Sequence, residues 1–299
     1  MIGRKLIPFL EGVLPRYDVY SLVRHSPRSA KEIWWDPNEK RIDLDRCEGF
    51  DAVVHLAGEN IGSGSGGLSH FTGAWTAEKR LKIMESRRKG TSLLAQTLAA
   101  LRQKPKVLVS ASGIGFYGTS CGETELDETF PKGTGYLAEV ADVWEKSTAP
   151  AASAGIRVVN LRFGVVLSRE AGVIEKLHLP FSLGLGGPIG SGRQWFSWVS
   201  SEDAVRILHY SLSSDDLTGP INACSPNPVR NSEFVGALAS AMHRPAFIPL
   251  PEAIVKGVFG EMGEETLLPS LKGVPKKLQQ AGFVFKHPSI EAAIWACRL

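Results

Sequence analysis

Segment 51–60 reads DAVVHLAGEN, an apolar run of strand length that ends on two small residues, Ala57 and Gly58. Two further segments have the same character, KVLVSAS at 106–112 and IRVVNLR at 156–162. Strands that are rich in Val, Leu and Ile along their whole length are typical of sheets buried on both faces, as parallel sheets are. These segments therefore predict neighbouring strands of one parallel sheet.

Helical segments alternate with the strands. The spacing of apolar residues predicts helices at 76–103 and 137–153, a further strand at 18–24 and a shorter one at 32–35. Alternation of this kind indicates a doubly wound α/β sheet. We therefore predict a Rossmann-like fold, in which a ligand lies at the carboxyl ends of the strands.

The first residues, MIGRKLIPFLEG at 1–12, read as a helix, because their apolar residues fall at helical spacing. Pro8 is tolerated only near a helix start. A Rossmann domain begins with a strand, a Gly-rich turn and then a helix, so Gly3 would end the turn and be a cofactor-binding residue. We expect that the first strand is missing, that 18–24 and 51–57 flank its vacant position, and that the sequence is truncated at its N-terminus. A genuine short isoform is the alternative.

The pattern changes beyond about residue 170, where shorter elements surround a Gly-rich stretch. We predict an NADP-binding domain at 1–225, which includes the substrate-side segment 180–199, and a smaller C-terminal domain at 226–299. Glycines in that segment would let it curve closely around a ligand. They are Gly184, Gly186, Gly187 and Gly190. The remaining predictions are a loop tip at 62–67, a helix opening near Ser201, a strand at 219–223 and helices near 231–243, 251–258 and 288–297.

Composition excludes several classes of protein. The net charge of +3 gives no footprint for nucleic acid, and the 43% hydrophobic content is enough for a core. The basic stretch 79–89 is predicted to be mostly the solvated face of a helix. The four cysteines are widely spaced, which predicts no metal site, no disulfide framework and a reducing compartment. No apolar run reaches the ~18 to 20 residues of a membrane helix, so we expect a soluble protein.

Arg24 ends the strand at 18–24, with His25 and Arg28 close by. At this position NAD-specific domains carry an acidic residue, whereas an arginine accommodates the 2′-phosphate of NADP. A surface arginine at a strand end would look the same. We predict NADP as the cofactor, with Ala57 and Gly58 allowing it to approach the backbone.

Hydroxyl groups end the strand at 106–112, where Ser110 and Ser112 lie in the segment VSASGIGFYG at 109–118. The hydroxyl of Ser112 could polarise a substrate carbonyl. Serines at strand ends are also common caps, so this residue type alone does not decide between the two roles.

The chain resembles the extended short-chain dehydrogenase/reductases. It is most similar to an atypical, epimerase-like subfamily that includes bacterial proteins described as sugar-nucleotide epimerases and plant SulA-like chloroplast proteins. The resemblance extends over essentially the whole chain. The motifs that carry it are WWDP (34–37), DAVVHLAGENI (51–61), WTAEKRLKIMESRRKGT (75–91), SGIGFYG (112–118), YLAEVADVWE (136–145), LRFGVVLS (161–168), PFSLGLGGPIGSGRQWFSWV (180–199), SPNPVRNSEFVGAL (225–238) and the tail RPAFIPLP…GFVF (244–285).

The resemblance implies a catalytic site made from Ser112 and Tyr136. Short-chain dehydrogenases add a lysine four residues after the tyrosine, which lowers the tyrosine pKa so that the phenol can exchange a proton. This chain has Val140 there, and Lys146 is too far along the helix to replace it. The catalytic lysine is therefore absent, and Tyr136 as a plain buried aromatic residue is the alternative. A second departure is Ser200, where relatives usually have histidine.

The resemblance also implies that Leu56, Arg87 and Val166 line the cofactor site, although Arg87 could belong to the basic helix face. The predicted function is that of an NADP-dependent oxidoreductase or epimerase-like protein with an unknown small-molecule substrate. The alternative is a non-catalytic nucleotide-binding regulatory protein, in a setting such as plastid division. The predicted compartment is the cytoplasm or the chloroplast stroma. The sequence leaves the substrate, the activity and the oligomeric state open.

Overall fold

The computed structural model describes residues 1–14, 16–62 and 74–299. Its strands in chain order are β1 (Ser21–Val23), β2 (Glu32–Asp36), β3 (Arg41–Ile42), β4 (Ala52–His55), β5 (Val107–Gly113), β6 (Ser120–Leu126), β7 (Arg157–Phe163), β8 (Val165–Leu167), β9 (Trp195–Phe196), β10 (Trp198–Ser200), β11 (Gly219–Ala223), β12 (Val229–Arg230) and β13 (Ser270–Gly273). Its α-helices are α1 (Ile2–Gly12), α2 (Ala77–Ala100), α3 (Tyr136–Lys146), α4 (Ala149–Ser153), α5 (Val173–Ser182), α6 (Ser201–Ser213), α7 (Asn231–Met242), α8 (Glu252–Ile254), α9 (Gly260–Thr266), α10 (Lys276–Gln280) and α11 (Ile290–Ala296).

The central sheet has the strand order β11-β7-β5-β4, and all its strands are parallel. Its registers place Val54 opposite Val109 and Val109 opposite Val159. The carboxyl ends of these strands therefore lie at the same edge. The predicted parallel α/β sheet is confirmed, and so are the strands predicted from segments 51–57, 106–112, 156–162 and 219–223.

Helices cover both faces of this sheet. Leu6 and Leu10 of α1 pack in one buried cluster with Val109 and Val159, together with apolar residues of α6. Leu94 and Leu98 of α2 pack in a second cluster with Leu108. Successive residues of β5 thus face opposite helix layers, which is the doubly wound arrangement.

A second, smaller sheet has the order β1-β2-β3, with β1 parallel to β2. Within the described residues, β1 pairs only with β2, and β4 has only β5 as a neighbour. A cleft of about 350 Å³ separates the two sheets, and both β1 and β4 line it. The two segments predicted to flank a vacant position, 18–24 and 51–57, therefore both border this cleft, and the missing first strand stays a prediction.

Several helices differ from the predicted ranges. The single helix predicted at 137–153 is two helices. Pro150 has no backbone N–H to continue the helical hydrogen bonds, and the hydroxyls of Ser147 and Thr148 bond to carbonyls of the preceding turn. The helix predicted at 251–258 is α8 followed by a π-helical turn at Val255–Phe259.

The strands β6 and β13 were not predicted, because their sequences, SCGETEL and SLKG, do not show an apolar run. They pair with each other in parallel. Helices α5, α9 and α10 were also not predicted. The loop predicted at 62–67 falls almost entirely outside the described residues.

Part of the C-terminal region packs with the end of the Gly-rich block. Trp198 of β10, Phe234 of α7 and Ile294 of α11 share one buried cluster.

The domain division at residue 225 stays a prediction. Over the described ranges, no helix has the length and apolar character that crossing a bilayer requires.

His55 ends β4 and is 3% exposed, with Nε2 3.0 Å from the hydroxyl of Thr91. Burial lowers its pKa from 6.5 to about 4. Between these values the unfolded chain binds a proton that the folded protein does not, so the free energy of unfolding should decrease as pH falls. We predict that this residue accounts for about 2 to 3 kcal/mol of lost stability between about pH 7.5 and about pH 4.5.

The measurement is urea unfolding at both pH values for the wild type and His55→Gln. The variant should lose less stability on acidification than the wild type. His25→Gln, which changes an exposed histidine, is the control and should behave as the wild type. An unchanged pH dependence in His55→Gln would contradict the prediction.

Candidate cofactor and active site

Three of the predicted cofactor residues meet at the cleft between the two sheets. Gly3 of α1 lines it together with Leu56 and Ala57, which directly follow β4. The first turn of α1 carries no acidic residue. The free backbone N–H groups and the dipole at such a helix N-terminus favour an anionic group. This end of the cleft can therefore receive a phosphate.

Arg87 of α2 is 9% exposed and lies against Gly58. Its guanidinium donates to the carbonyls of Glu59 (3.0 Å) and Ile83 (3.1 Å) and lies 4.7 Å from the ring centroid of Trp144. A Cβ on Gly58 would lie 3.3 Å from Arg87 Cζ, so a side chain there would crowd the guanidinium.

Burial lowers the pKa of Arg87 to about 10. Among the described residues, no carboxylate lies within 4.0 Å of this guanidinium to form an ion pair. A buried cation whose hydrogen-bond partners are neutral is costly, and an anionic ligand nearby would offset that cost.

Residues 79–89 were expected to be mostly a solvated helix face, and two of the basic residues are exceptions. Lys79 is 3% exposed and pairs with Glu59 at 2.6 Å, and Arg87 is buried. Other basic residues of this stretch, such as Lys82, are exposed. The reading of Arg87 as part of a basic surface is therefore corrected by its burial.

Four of the predicted cofactor residues are not among those that line the cleft: Arg24, Gly58, Arg87 and Val166. Arg24 follows β1 and is exposed. Val166 is in β8, where it pairs with Val199 of β10. It packs against the buried cluster that contains Leu6 and Leu10 of α1.

Ser112 lies near the carboxyl end of β5 and is 4% exposed. Its hydroxyl donates to Glu145 Oε1 at 2.8 Å. Arg162 of β7 holds both oxygens of the same carboxylate, at 2.7 and 2.8 Å. A serine hydroxyl has one proton and an ionised carboxylate can only accept. The expected donation from Ser112 to a substrate carbonyl is therefore not available in this arrangement.

The buried network continues beyond Arg162. Its guanidinium donates to the Tyr117 hydroxyl at 3.0 Å, and that hydroxyl donates to Asn222 Oδ1 at 2.8 Å. Burial raises the pKa of Tyr117 to about 12, so the phenol stays protonated. Glu145, Arg162 and Asn222 were not among the predicted site residues, because local sequence patterns do not reveal side chains that meet from distant elements.

Tyr136 is the first residue of α3 and is partly exposed. Its hydroxyl donates to the backbone carbonyl of Arg80 at 2.5 Å. The Arg80 guanidinium lies 4.5 Å from the ring centroid of Tyr136, and the Trp75 ring meets it edge-on at 5.2 Å. Burial raises the pKa of this phenol. The hydroxyls of Tyr136 and Ser112 thus have different partners and are not bonded to each other.

The position of the family's lysine is occupied by Val140, which is 3% exposed. Lys146 is at the far end of α3, where it pairs with Asp142 at 2.8 Å. A lysine that would lower the pKa of Tyr136 is therefore not supplied by this helix.

The Gly-rich block packs against its own chain. A Cβ on Gly187 would lie 1.9 Å from the carbonyl oxygen of Ile248, and a Cβ on Gly186 would lie 2.9 Å from the Phe181 ring. The nitrogen of Ile248 also donates to the Gly186 carbonyl at 3.1 Å. The expectation that these two glycines curve around a ligand is corrected, since they make room for neighbouring parts of this protein.

Ser200 caps α6, because its hydroxyl accepts from the backbone nitrogen of Asp203 at 2.9 Å. His287 Nδ1 lies 3.2 Å from the same hydroxyl.

The four cysteines are free thiols. Across the described ranges, no group of three or more His, Cys, Asp or Glu residues is arranged to hold a metal ion.

Comparison with known proteins agrees with this geometry. The model of the NAD dependent epimerase/dehydratase family matches residues 1–224, and a domain of unknown function matches residues 250–296. The chain therefore belongs to the NAD dependent epimerase/dehydratase family.

Individual relatives resemble almost the whole chain. An epimerase family protein of Mycobacterium leprae is 37% identical over 276 residues, which is 92% of this chain and 86% of that protein. A chloroplastic epimerase family protein of Arabidopsis thaliana is 37% identical over 252 residues, 83% of this chain and 69% of the relative. The crystal structure of human epimerase family protein SDR39U1 (isoform 2) with NADPH matches with a TM-score of 0.87 and 31% identity, over 99% of this chain and 95% of that one.

The buried pair of Glu145 and Arg162 gives a prediction on stability. Their side chains are 12% and 4% exposed, so Glu145→Gln would leave a buried guanidinium without its counter-charge. We expect the free energy of unfolding to fall by ~3–5 kcal/mol. Glu139→Gln on the same helix removes a largely exposed pair with Lys132 and should cost at most about 1 kcal/mol. Urea unfolding of both variants measures the difference, and similar costs would contradict the buried network.

Proposed function

We propose that this chain binds NADP at the edge formed by the start of α1, residues 56–58 and Arg87. The observation that carries the proposal is the buried guanidinium of Arg87, which has no carboxylate partner among the described residues and lies against Gly58. The human relative of known structure was crystallised with NADPH, which supports the same ligand here.

Each part of this edge would have its own task. The N-terminus of α1 at Gly3 would receive the pyrophosphate, and Leu56, Ala57 and Gly58 would let the dinucleotide lie close to the backbone. Arg24, exposed after β1, would meet the 2′-phosphate. Val166 would border the cofactor from β8. When bound, NADP supplies a hydride-transfer centre, and the protein supplies position and a route for protons.

We further propose an oxidoreductase- or epimerase-like activity on an unknown small molecule, with Tyr136 and Ser112 facing the substrate. The Tyr136 hydroxyl donates to the backbone carbonyl of Arg80 and would exchange that bond for one to the substrate. The Ser112 hydroxyl would accept a hydrogen bond from the substrate, because it already donates its proton to Glu145.

A second candidate is a regulatory protein that binds the nucleotide without turnover. Val140 in place of the lysine and the engaged hydroxyls of Ser112 and Tyr136 favour it. The chloroplastic relative supports a plastid location for either function, and plastid division is one setting for the second.

Cofactor choice provides the test of the binding proposal. Arg24→Glu places a negative charge beside the 2′-phosphate, so the Kd for NADPH should rise about tenfold or more, roughly 1.4 kcal/mol, while the Kd for NADH changes little. NADPH and NADH fluorescence titrations measure both values. Arg16→Glu, an exposed arginine before the amino end of β1, is the matched control. Equal NADPH binding by the wild type and Arg24→Glu would remove the assignment of Arg24.

Turnover separates the two candidate functions. We expect oxidation of bound NADPH in the presence of at least one member of a panel of carbonyl compounds and sugar nucleotides, followed at 340 nm. The Tyr136→Phe variant should bind NADPH as the wild type does but lose this turnover. An epimerase returns the hydride to its substrate, so the sugar nucleotides are also incubated with the NADP⁺-bound protein and analysed for epimerised product. Binding with neither NADPH oxidation nor epimerised product would favour the regulatory protein.

A further inference from the structure

Helix α3, which begins at Tyr136, is capped by a distant part of the chain. Gly135 precedes the helix and provides no side-chain cap. Instead, the two carboxylate oxygens of Glu265 accept from the backbone nitrogens of Tyr136 (3.0 Å) and Leu137 (3.1 Å). A carboxylate at this place satisfies free N–H groups and interacts favourably with the helix dipole. Glu265 thus does for α3 what a local N-cap residue does for other helices.

The backbone at Gly135 is suited to this contact. Its φ angle is +108°, and a Cβ there would lie 2.6 Å from Glu265 Oε1. Any side chain at position 135 would therefore displace the carboxylate. The absence of a side chain lets Glu265 approach both nitrogens at once.

A second carboxylate of α9 acts on the ring of Tyr136. Glu261, one turn before Glu265, lies 3.2 Å from the guanidinium of Arg80. That guanidinium covers the Tyr136 ring, and the carbonyl of Arg80 accepts from its phenol. Two residues of α9 therefore fix Tyr136. Glu265 contacts its backbone, and Glu261 contacts Arg80, which covers its ring.

The turn before α9 determines which face of the helix points toward α3. It is the π-helical turn Val255–Phe259, followed by Gly260 with a φ of +54°. Gly263 packs so closely on this turn that a Cβ would lie 2.7 Å from Val255 Cγ1. Single π-helical turns are frequent at functional sites, and here the turn precedes the two glutamates that contact α2 and α3.

We propose that Glu265 is a positioning residue for Tyr136, so that the C-terminal segment determines where the phenol lies in the site. The proposal rests on the proposed function only in that Tyr136 faces the substrate. The placement of the phenol itself depends on Glu265 whether or not the protein turns a substrate over.

The test uses the full chain labelled with 3-fluorotyrosine. The chain has five tyrosines, and the ¹⁹F resonance of Tyr136 is assigned by its loss in Tyr136→Phe. In Glu265→Gln the carboxylate becomes an amide, one of whose polar atoms is a donor, so one of the two bonds to α3 is lost. The Tyr136 resonance should shift, while the other four stay within their linewidths.

Glu264→Gln is the matched control, because Glu264 is the neighbouring carboxylate of α9 and is exposed; it should leave all five resonances in place. Glu265→Asp keeps the charge but shortens the side chain, and it should move the same resonance. It also provides the test if Glu265→Gln does not fold. An unmoved Tyr136 resonance in every folded Glu265 variant would overturn the proposal.

NADPH titration of the same variants separates this proposal from the proposed function. Glu265→Gln should bind NADPH within about twofold of the wild type, because the cofactor residues lie on other elements. Failure of the wild type to bind NADPH would refute the proposed function and leave the resonance result to decide the role of Glu265. For a substrate that the wild type turns over, kcat should fall in Glu265→Gln and be restored in part by Glu265→Asp.

Discussion

The parallel register between β5 and β7 is the constraint on which the candidate active site depends. It places Ser112 directly opposite Arg162, so that a hydroxyl and a guanidinium emerge side by side within the sheet. Glu145 of α3 then bridges them. A shift of one of these strands by one residue would turn its side chain to the other face of the sheet. Ser112 and Arg162 would then lie on opposite faces, and Glu145 could not contact both.

The two halves of the proposed site differ in whether their polar groups are already paired with other groups of the protein. On the cofactor side, Arg87 is buried with neutral partners, and the start of α1 has free N–H groups. On the substrate side, the hydroxyls of Ser112 and Tyr136 already donate to groups of the protein. Both features would favour an anionic ligand in the proposed cofactor half. The substrate half departs from the short-chain dehydrogenase pattern in both the missing lysine and the partners of its hydroxyls.

Much of the fold could be predicted because its strands are continuous apolar runs. The segments 51–57, 106–112 and 156–162 predicted both the sheet and the edge at which we propose the site. The strands β6 and β13 could not be found in this way, since their residues are mostly polar and their pairing joins Ser120 to Ser270. The same limit applies to the site, where Ser112 was identified as a candidate but its partner Glu145 was not.

Burial of charge was the other feature that sequence patterns did not reveal. Arg87 and Lys82 lie in the same basic stretch, yet the first is buried and the second is exposed, because only the side of α2 that faces Gly58 and Trp144 is covered. The cap that Glu265 gives to α3 was also hidden, since it joins positions 129 residues apart. A capping residue is recognisable in a sequence only when it directly precedes its helix.

We infer that a dinucleotide lies along the start of α1, residues 56–58 and the segment around Arg87. Hydrogen–deuterium exchange with and without NADPH tests it most directly, because bound ligand slows exchange where it covers or orders the backbone. NADPH should protect peptides that cover residues 2–6, 55–60 and 83–90. Protection confined to other parts of the chain, such as the region of Ser200 and His287, would contradict it.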